Sequence, residues 1–245
     1  MKNTKIEWTD HSHNFWWGCT KVSAACKNCY ADSFSKRTGR QVFGKGVPRW
    51  QPFDKTRLGN PKKWNEEAKS LGIRYKVFTL SMGDFFDDEV ATAWRDEAWK
   101  IIEDTPHLDW LILTKRPENI KAMLPANWGK DGWDNVWLGT TTEDQANADL
   151  RIPILTSIPA KIHFLSVEPL LEEVDLDLTN IDWVIVGGES GPRPRPMEKA
   201  WVTNVQLQCA ATNTHFFFKQ WGGRPTEIKN NGRTLDGRTW DESPI

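Results

Sequence analysis

Short apolar runs recur along the chain, separated by longer stretches in which apolar residues return every three or four positions. The runs are Val77–Ser81, Trp110–Thr114, Val136–Thr140, Ile162–Val167, Trp183–Val186 and His215–Phe218. Each is bounded by turn-forming residues and rich in β-branched or aromatic side chains. Their near-continuous apolarity, without alternation, predicts strands covered on both faces. Between them, Glu89–Glu103 places Val90, Ala93, Trp94, Ala98 and Ile101–Ile102 at helical spacing. Glu118–Met123, Glu143–Leu155 and Glu198–Ala211 read the same way. Further helices are expected around Tyr30–Arg37 and Pro61–Leu71, and an earlier strand near Ile6–Trp8. Six to eight βα units within 245 residues predict an α/β fold built as a complete or partial parallel (βα) barrel of the TIM type. A doubly wound sheet is the alternative. No repeat or low-complexity linker interrupts the pattern, so one domain over 1–245 is expected, with an insertion at about 36–64 and a C-terminal extension at about 222–245.

Composition narrows the classes. Lys plus Arg number 32 against 33 Asp plus Glu, a net charge of −1. That excludes a uniformly basic nucleic-acid protein but not a local patch. With 38% apolar and 11% aromatic residues the chain is not a fully disordered one. No run approaches the roughly 18 apolar residues of a membrane span, and Met1-Lys2-Asn3-Thr4-Lys5-Ile6-Glu7 lacks the apolar stretch of a secretion signal. The expectation is a soluble, cytoplasmic protein with no membrane partner. Fifteen Trp stand against two Tyr. Trp suits stacking on flat ligands, but core filling is the expected role of most of them.

Polar residues follow strand after strand: Ser81-Met82-Gly83-Asp84, Thr114-Lys115-Arg116-Pro117, Thr140-Thr141-Thr142-Glu143, Ser166-Val167-Glu168-Pro169, Gly187-Gly188-Glu189-Ser190-Gly191 and Lys219-Gln220-Trp221-Gly222-Gly223. In a βα barrel, ligand chemistry collects on these loops. Loops are also polar simply because they are solvated. That bland reading fits poorly at Glu168, a lone acid among apolar neighbours, where a buried charge needs a partner. Gly187-Gly188 permits close approach of backbone to a ligand, without forming a dinucleotide-binding fingerprint. Asp84 lies directly behind Gly83; Asp87, Asp88 and Glu89 read as an acidic helix start.

The segment from Lys36 to Lys63 carries nine cations (Lys36, Arg37, Arg40, Lys45, Arg49, Lys55, Arg57, Lys62, Lys63) against Asp54 alone. Its local charge is +8, so the remainder of the chain carries −9. Phe43, Trp50 and Phe53 are interleaved, with Trp64 next door. Cations among stacking faces suit a nucleic-acid backbone or nucleotides; a solvated charged loop is the alternative.

Three of four cysteines, Cys19, Cys26 and Cys29, lie within eleven residues as C-x6-C-x2-C. Three clustered thiols cannot pair among themselves without one left over, and clustered thiolates favour metal. With His11 or His13 as fourth ligand the group would be a Cys3His zinc site. Without a fourth protein ligand it would be a three-cysteine [4Fe–4S] site with one open iron; three unliganded buried thiols are the third reading. Cys209, in a helical stretch, reads as an ordinary buried cysteine.

Three cysteines after a first strand, opening a βα barrel, resemble the radical S-adenosylmethionine superfamily. More narrowly, Ile6-Glu7-Trp8-Thr9-Asp10, Gly18-Cys19-Thr20-Lys21-Val22-Ser23 and Cys26-Lys27-Asn28-Cys29-Tyr30-Ala31 are similar to a phage-associated family of uncharacterised proteins with that proposed chemistry. The strand-end blocks extend the likeness from about Lys5 to Trp221. The superfamily's usual spacing is C-x3-C-x2-C, and an aromatic commonly precedes its last cysteine, where this chain has Asn28. The resemblance implies a radical-SAM barrel, a [4Fe–4S] cluster on Cys19, Cys26 and Cys29, and S-adenosyl-L-methionine chelated at the open iron. One electron, from a donor such as flavodoxin or ferredoxin, would then release a 5′-deoxyadenosyl radical that abstracts a substrate hydrogen. It further implies cofactor contacts from Ser81, Gly83, Asp84, Thr140, Thr142, Ser166, Glu168, Gly187 and Gly188. Lys115, Arg116, Glu189 and Trp50 are expected to meet substrate, a nucleotide or a base in DNA extruded from its stack. The competing classes are a zinc-stabilised nucleic-acid-binding module and a metal-independent hydrolase using Asp84, Glu168 and Glu189.

Overall fold

The computed structural model describes residues 1–224 and 226–245. Seven strands follow one another: β1 (His11–His13), β2 (Tyr75–Thr79), β3 (Leu108–Thr114), β4 (Val136–Thr141), β5 (Ile162–Val167), β6 (Trp183–Gly187) and β7 (His215–Gln220). They are hydrogen-bonded in chain order, β1-β2-β3-β4-β5-β6-β7, and β1/β2, β2/β3, β5/β6 and β6/β7 pair in parallel. Helices alternate with them: α1 (Tyr30–Arg37), α2 (Asp54–Arg57), α3 (Gly59–Leu71), α4 (Thr92–Glu103), α5 (Ile120–Met123), α6 (Gln145–Thr156), α7 (Lys199–Thr212) and α8 (Ile228–Asn231). The fold is α/β with parallel strands. Among the described residues no helix is long and apolar enough to cross a membrane.

The chain divides into two compact units. The first comprises Met1–Val22, Ala31–Leu138 and Pro159–Lys161; the second comprises Ser23–Tyr30, Gly139–Ile158 and Ile162–Ile245. The C-x6-C-x2-C segment is therefore shared out, with Cys19 in the first unit and Cys26 and Cys29 in the second.

In the first unit the expected strand near Ile6–Trp8 is not formed; β1 lies at His11–His13 instead, aligned with Val77–Thr79 of β2. Its polar sequence conceals its place. His11 packs on Trp64 and Tyr75, and His13 on Phe15 and Trp110, so aromatic neighbours bury both imidazoles. Residues Leu108–Trp110 and Leu111 of β3 are fully or nearly buried, as its apolar run requires. α3 turns Trp64, Asn65 and Ala68 inward and stops at Gly72, whose φ of 66° closes the helix in the left-handed conformation. Eight of the fifteen Trp are buried, so core filling is the commoner role.

In the second unit, β5 and β6 are buried at every position. Asp144 caps α6 by accepting from the Asn147 amide at 2.9 Å. The inward face of α6 carries Ala148, Arg151, Ile152 and Leu155, which puts one guanidinium among apolar residues. The C-terminal extension runs along β7. Phe218 donates its amide to Trp240 O at 2.9 Å, and Trp183 Nε1 donates to Glu242 O at 2.8 Å. An edge that would otherwise expose unpaired backbone is thus partly covered.

Candidate functional site

The loops after the strands of the first unit converge on Asp84. Leu80, just beyond β2, adopts a left-handed φ of 66° and turns the chain sharply. Asn14 captures the turn, donating to Ser81 Oγ at 3.1 Å and accepting from the Met82 amide at 2.8 Å. A Cβ on Gly83 would lie 3.1 Å from Gly18 O, so this close crossing of two loops favours glycine. Asp84 is 6% exposed and accepts from Thr114 Oγ1 (2.7 Å), Phe86 N (3.0 Å), Lys115 N (3.1 Å) and Arg116 Nη1 (3.1 Å). Arg116 also donates to Thr20 O at 2.6 Å, one residue past Cys19. Burial works against the Arg116 charge, but Asp84, Asp87 and Cys19 outweigh it and raise its pKa. Asp84 and Arg116, both expected to face a ligand, face each other and tie the ends of β2 and β3 to the Cys19 loop. Lys115 beside them is half-buried.

The basic insertion is less open than its composition suggests. Arg49 donates to Asp87 Oδ2 (2.8 Å), Gly44 O (2.9 Å), Val47 O (2.8 Å) and Thr20 Oγ1 (2.9 Å). Arg57 is buried and pairs with Asp54 and Glu97. Trp64 belongs to the core. Trp50 meets Trp17 at 5.1 Å between ring centroids, and the Arg40 guanidinium lies 4.3 Å from the Trp50 ring centre. What remains exposed is Lys36, Arg37, Lys45, Lys55, Lys62 and Lys63, with Phe53 at 83% exposure.

In the second unit the loop carrying Cys26 and Cys29 is held by two buried acids. Glu143, fully buried after β4, pairs with Arg151 at 2.8 Å and accepts from Ser23 Oγ. Ser23 Oγ is 3.9 Å from Cys26 Sγ. Glu189, after β6, accepts from Asn28 Nδ2 at 2.8 Å and from Arg195 Nε at 3.0 Å and its amide at 2.9 Å. Burial opposes the Glu189 charge, but Arg195 and Asn28 prevail and hold its carboxyl below the usual range. Glu189 thus meets the cysteine loop. Glu168 pairs with Lys219 and approaches Ser166 Oγ at 3.4 Å, which supplies the partner its apolar setting demands. A Cβ on Gly187 would sit 3.0 Å from Glu168 Oε2, and one on Gly188 would overlap Trp221 O at 2.2 Å. Both glycines serve close packing within the unit. Thr140, Thr142 and Ser166 are buried; Thr142 Oγ1 has no hydrogen-bond partner among the described residues.

Cys19, Cys26 and Cys29 are each half-buried, Cys209 is fully buried, and none forms a disulfide. Among the described residues no three His, Cys, Asp or Glu side chains gather into a group that could hold a metal ion. The two imidazoles weighed as a fourth ligand are both buried among aromatic rings. His13 Nε2 lies 2.9 Å from Arg57 O, and burial pushes its pKa down to about 3. His11 Nδ1 accepts from the Asn3 amide at 3.2 Å, and its buried Nε2 has no hydrogen-bond partner among the described residues. Reasoning from sequence gave no site role to Ser23, Asn28, Arg151 or Arg195, and named Glu143 and Lys219 only among the polar strand ends. The signal for Glu143 was its place directly after a continuously apolar strand; Arg195 carried none.

Fold and site define an α/β protein of parallel strands whose strand-end loops hold the C-x6-C-x2-C segment through buried arginine–carboxylate pairs. The chain belongs to the family described as "Protein of unknown function (DUF5131)", whose model matches residues 3–244. No curated protein and no solved structure matches it.

Proposed function

We propose that this chain is a radical S-adenosylmethionine enzyme on a partial (βα) barrel, with Cys19, Cys26 and Cys29 holding a [4Fe–4S] cluster. The observation that carries the reading is the donor set. Three soft thiols lie within eleven residues, half-buried and outside any disulfide. Of the imidazoles that would close a zinc tetrahedron, His13 lies against the Arg57 carbonyl and His11 accepts from the Asn3 amide, both buried among aromatic rings, and the nearby acids pair with arginines. Thiolates without a fourth protein ligand suit an iron–sulfur centre with an open corner better than a closed zinc site. When bound, such a cluster supplies the single electron that cleaves the sulfonium bond of S-adenosyl-L-methionine.

The chain's own residues perform the rest. Arg116 and Asp84 hold the backbone beside Cys19. Lys219 pairs with the Glu168 carboxylate at the end of β5. Thr114, Thr140 and Ser166 at the strand ends are themselves buried. A nucleotide or nucleic-acid substrate is supported by the exposed lysines and Phe53 of the insertion.

Anaerobic purification tests the reading. The expected protein is brown, contains about four irons per chain, bleaches on reduction, and releases 5′-deoxyadenosine with dithionite and S-adenosyl-L-methionine. A colourless protein with one zinc, or a fully loaded cluster that releases no 5′-deoxyadenosine, overturns it.

A further inference from the structure

Seven residues, Ser23–Cys29, carry two of the cysteines, and they have little of their own to hold them. Their only regular element is a single 3-10 turn at Ala24–Cys26, and only Ala25 is buried. A segment like this frays unless it is tied from outside. Side-chain hydrogen bonds tie it, and three of them lead to arginine–carboxylate pairs. Glu143, neutralised by Arg151, accepts from Ser23 Oγ. Arg195 Nη1 donates to Ala24 O at 3.0 Å. Glu189, neutralised by Arg195, accepts from Asn28 Nδ2 at 2.8 Å, and Asn28 Nδ2 also donates to Arg193 O at 3.0 Å. One tie thus falls three residues before Cys26 and another immediately before Cys29. In the other unit the same device recurs: Arg116, paired with Asp84, holds Thr20 O immediately after Cys19.

We infer that Arg151–Glu143 and Arg195–Glu189 are positioning pairs that preset the Cys26–Cys29 loop for metal before any metal arrives. The inference rests on reading these cysteines as ligands. The chemistry of the pairs explains their form. Each carboxylate is balanced by a guanidinium and still offers an accepting oxygen to Ser23 or Asn28. Ordering a residue costs about 1–2 kcal/mol in backbone entropy, so a loop ordered in advance leaves less of that cost to metal binding.

The test removes the loop's side of each tie and leaves the ion pairs intact. Ser23→Ala and Asn28→Ala are compared with the native chain, with Ser23→Thr as the hydroxyl-keeping control. In the metal-free protein, amide exchange over residues 24–29 is expected to rise about tenfold per lost tie, the equivalent of one hydrogen bond of about 1.4 kcal/mol, with the urea midpoint and far-ultraviolet dichroism unchanged. Anaerobic loading with iron and sulfide should then give less than half the native iron per chain, and Ser23→Thr should restore both readings. Unchanged exchange overturns the inference, and so does faster exchange with native iron uptake. If the native chain takes up no iron, the proposed function fails, while the exchange measurement still decides whether the pairs order the loop.

Discussion

Replacing Arg49 by Met is the sharpest test of how the basic insertion is built. The Arg49 and Asp87 side chains are 1% and 0% exposed and 2.8 Å apart. Arg49 also satisfies the carbonyls of Gly44 and Val47 and the hydroxyl of Thr20. Met retains much of the volume and none of the donors. Removing one partner of a buried ion pair costs about 3–5 kcal/mol, and Asp87 is left with the longer contact to Arg116 at 3.9 Å. Burial already raises the Asp87 pKa above its ordinary value, with Arg49 the chief influence opposing the rise. In the variant that opposition is gone and the pKa climbs further. A raised carboxyl contributes its stability below the unfolded pKa and loses it as pH rises through the folded value. The deficit of Arg49→Met should therefore be about 3–5 kcal/mol at pH 8 and distinctly smaller at pH 5, read from urea midpoints at unchanged m-value. Because Thr20 Oγ1 loses the Arg49 bond, Cys19 should also react faster with a thiol reagent. A loss below about 1 kcal/mol at both pH values would mean the pair behaves as a solvated surface bridge and would refute the reasoning.

Two further outcomes follow from buried groups. His13 titrates near 3 in the folded chain against an ordinary 6.5, so the unfolded state binds the extra proton. Stability should be complete above pH 6.5 and fall by about 1.4 kcal/mol per pH unit towards pH 3. His13→Gln should remove that slope from acid titrations monitored by urea unfolding; an unchanged slope would assign it to other groups. Cys209 is fully buried and its thiol is pushed up to about 12. Iodoacetamide at pH 8 should modify three thiols of the folded, metal-free chain and the fourth only in urea. Four equal rates would show that α7 does not seal this thiol.

Much of the fold was legible because parallel strands buried on both faces must be apolar throughout. Ile162–Val167 stands where the pattern put it, and the other five runs shifted only at their ends. β1 was not legible. His11 and His13 read as polar loop, and only the rings of Trp64, Tyr75, Phe15 and Trp110, distant in sequence, make them strand. The charge of the insertion was legible and its direction was not: Arg49 and Arg57 turn inward, whereas Lys45, Lys55, Lys62 and Lys63 stay outside. Candidate residues at strand ends were found as a class. Their partners were missed because an ion pair such as Glu189–Arg195 or Glu168–Lys219 leaves no mark in either residue's neighbourhood.

The sequence by itself determined the alternation of strands and helices, the polar strand ends and the thiol triplet, because periodicity and residue chemistry are local properties of a chain. Only the tertiary structure decided that Asp84 is spent on Arg116, that both imidazoles are buried among aromatic rings, and that Glu143 and Glu189 reach back to the cysteine loop. Those are choices of partner, and a charge finds its partner through folded space, where separation along the chain no longer matters.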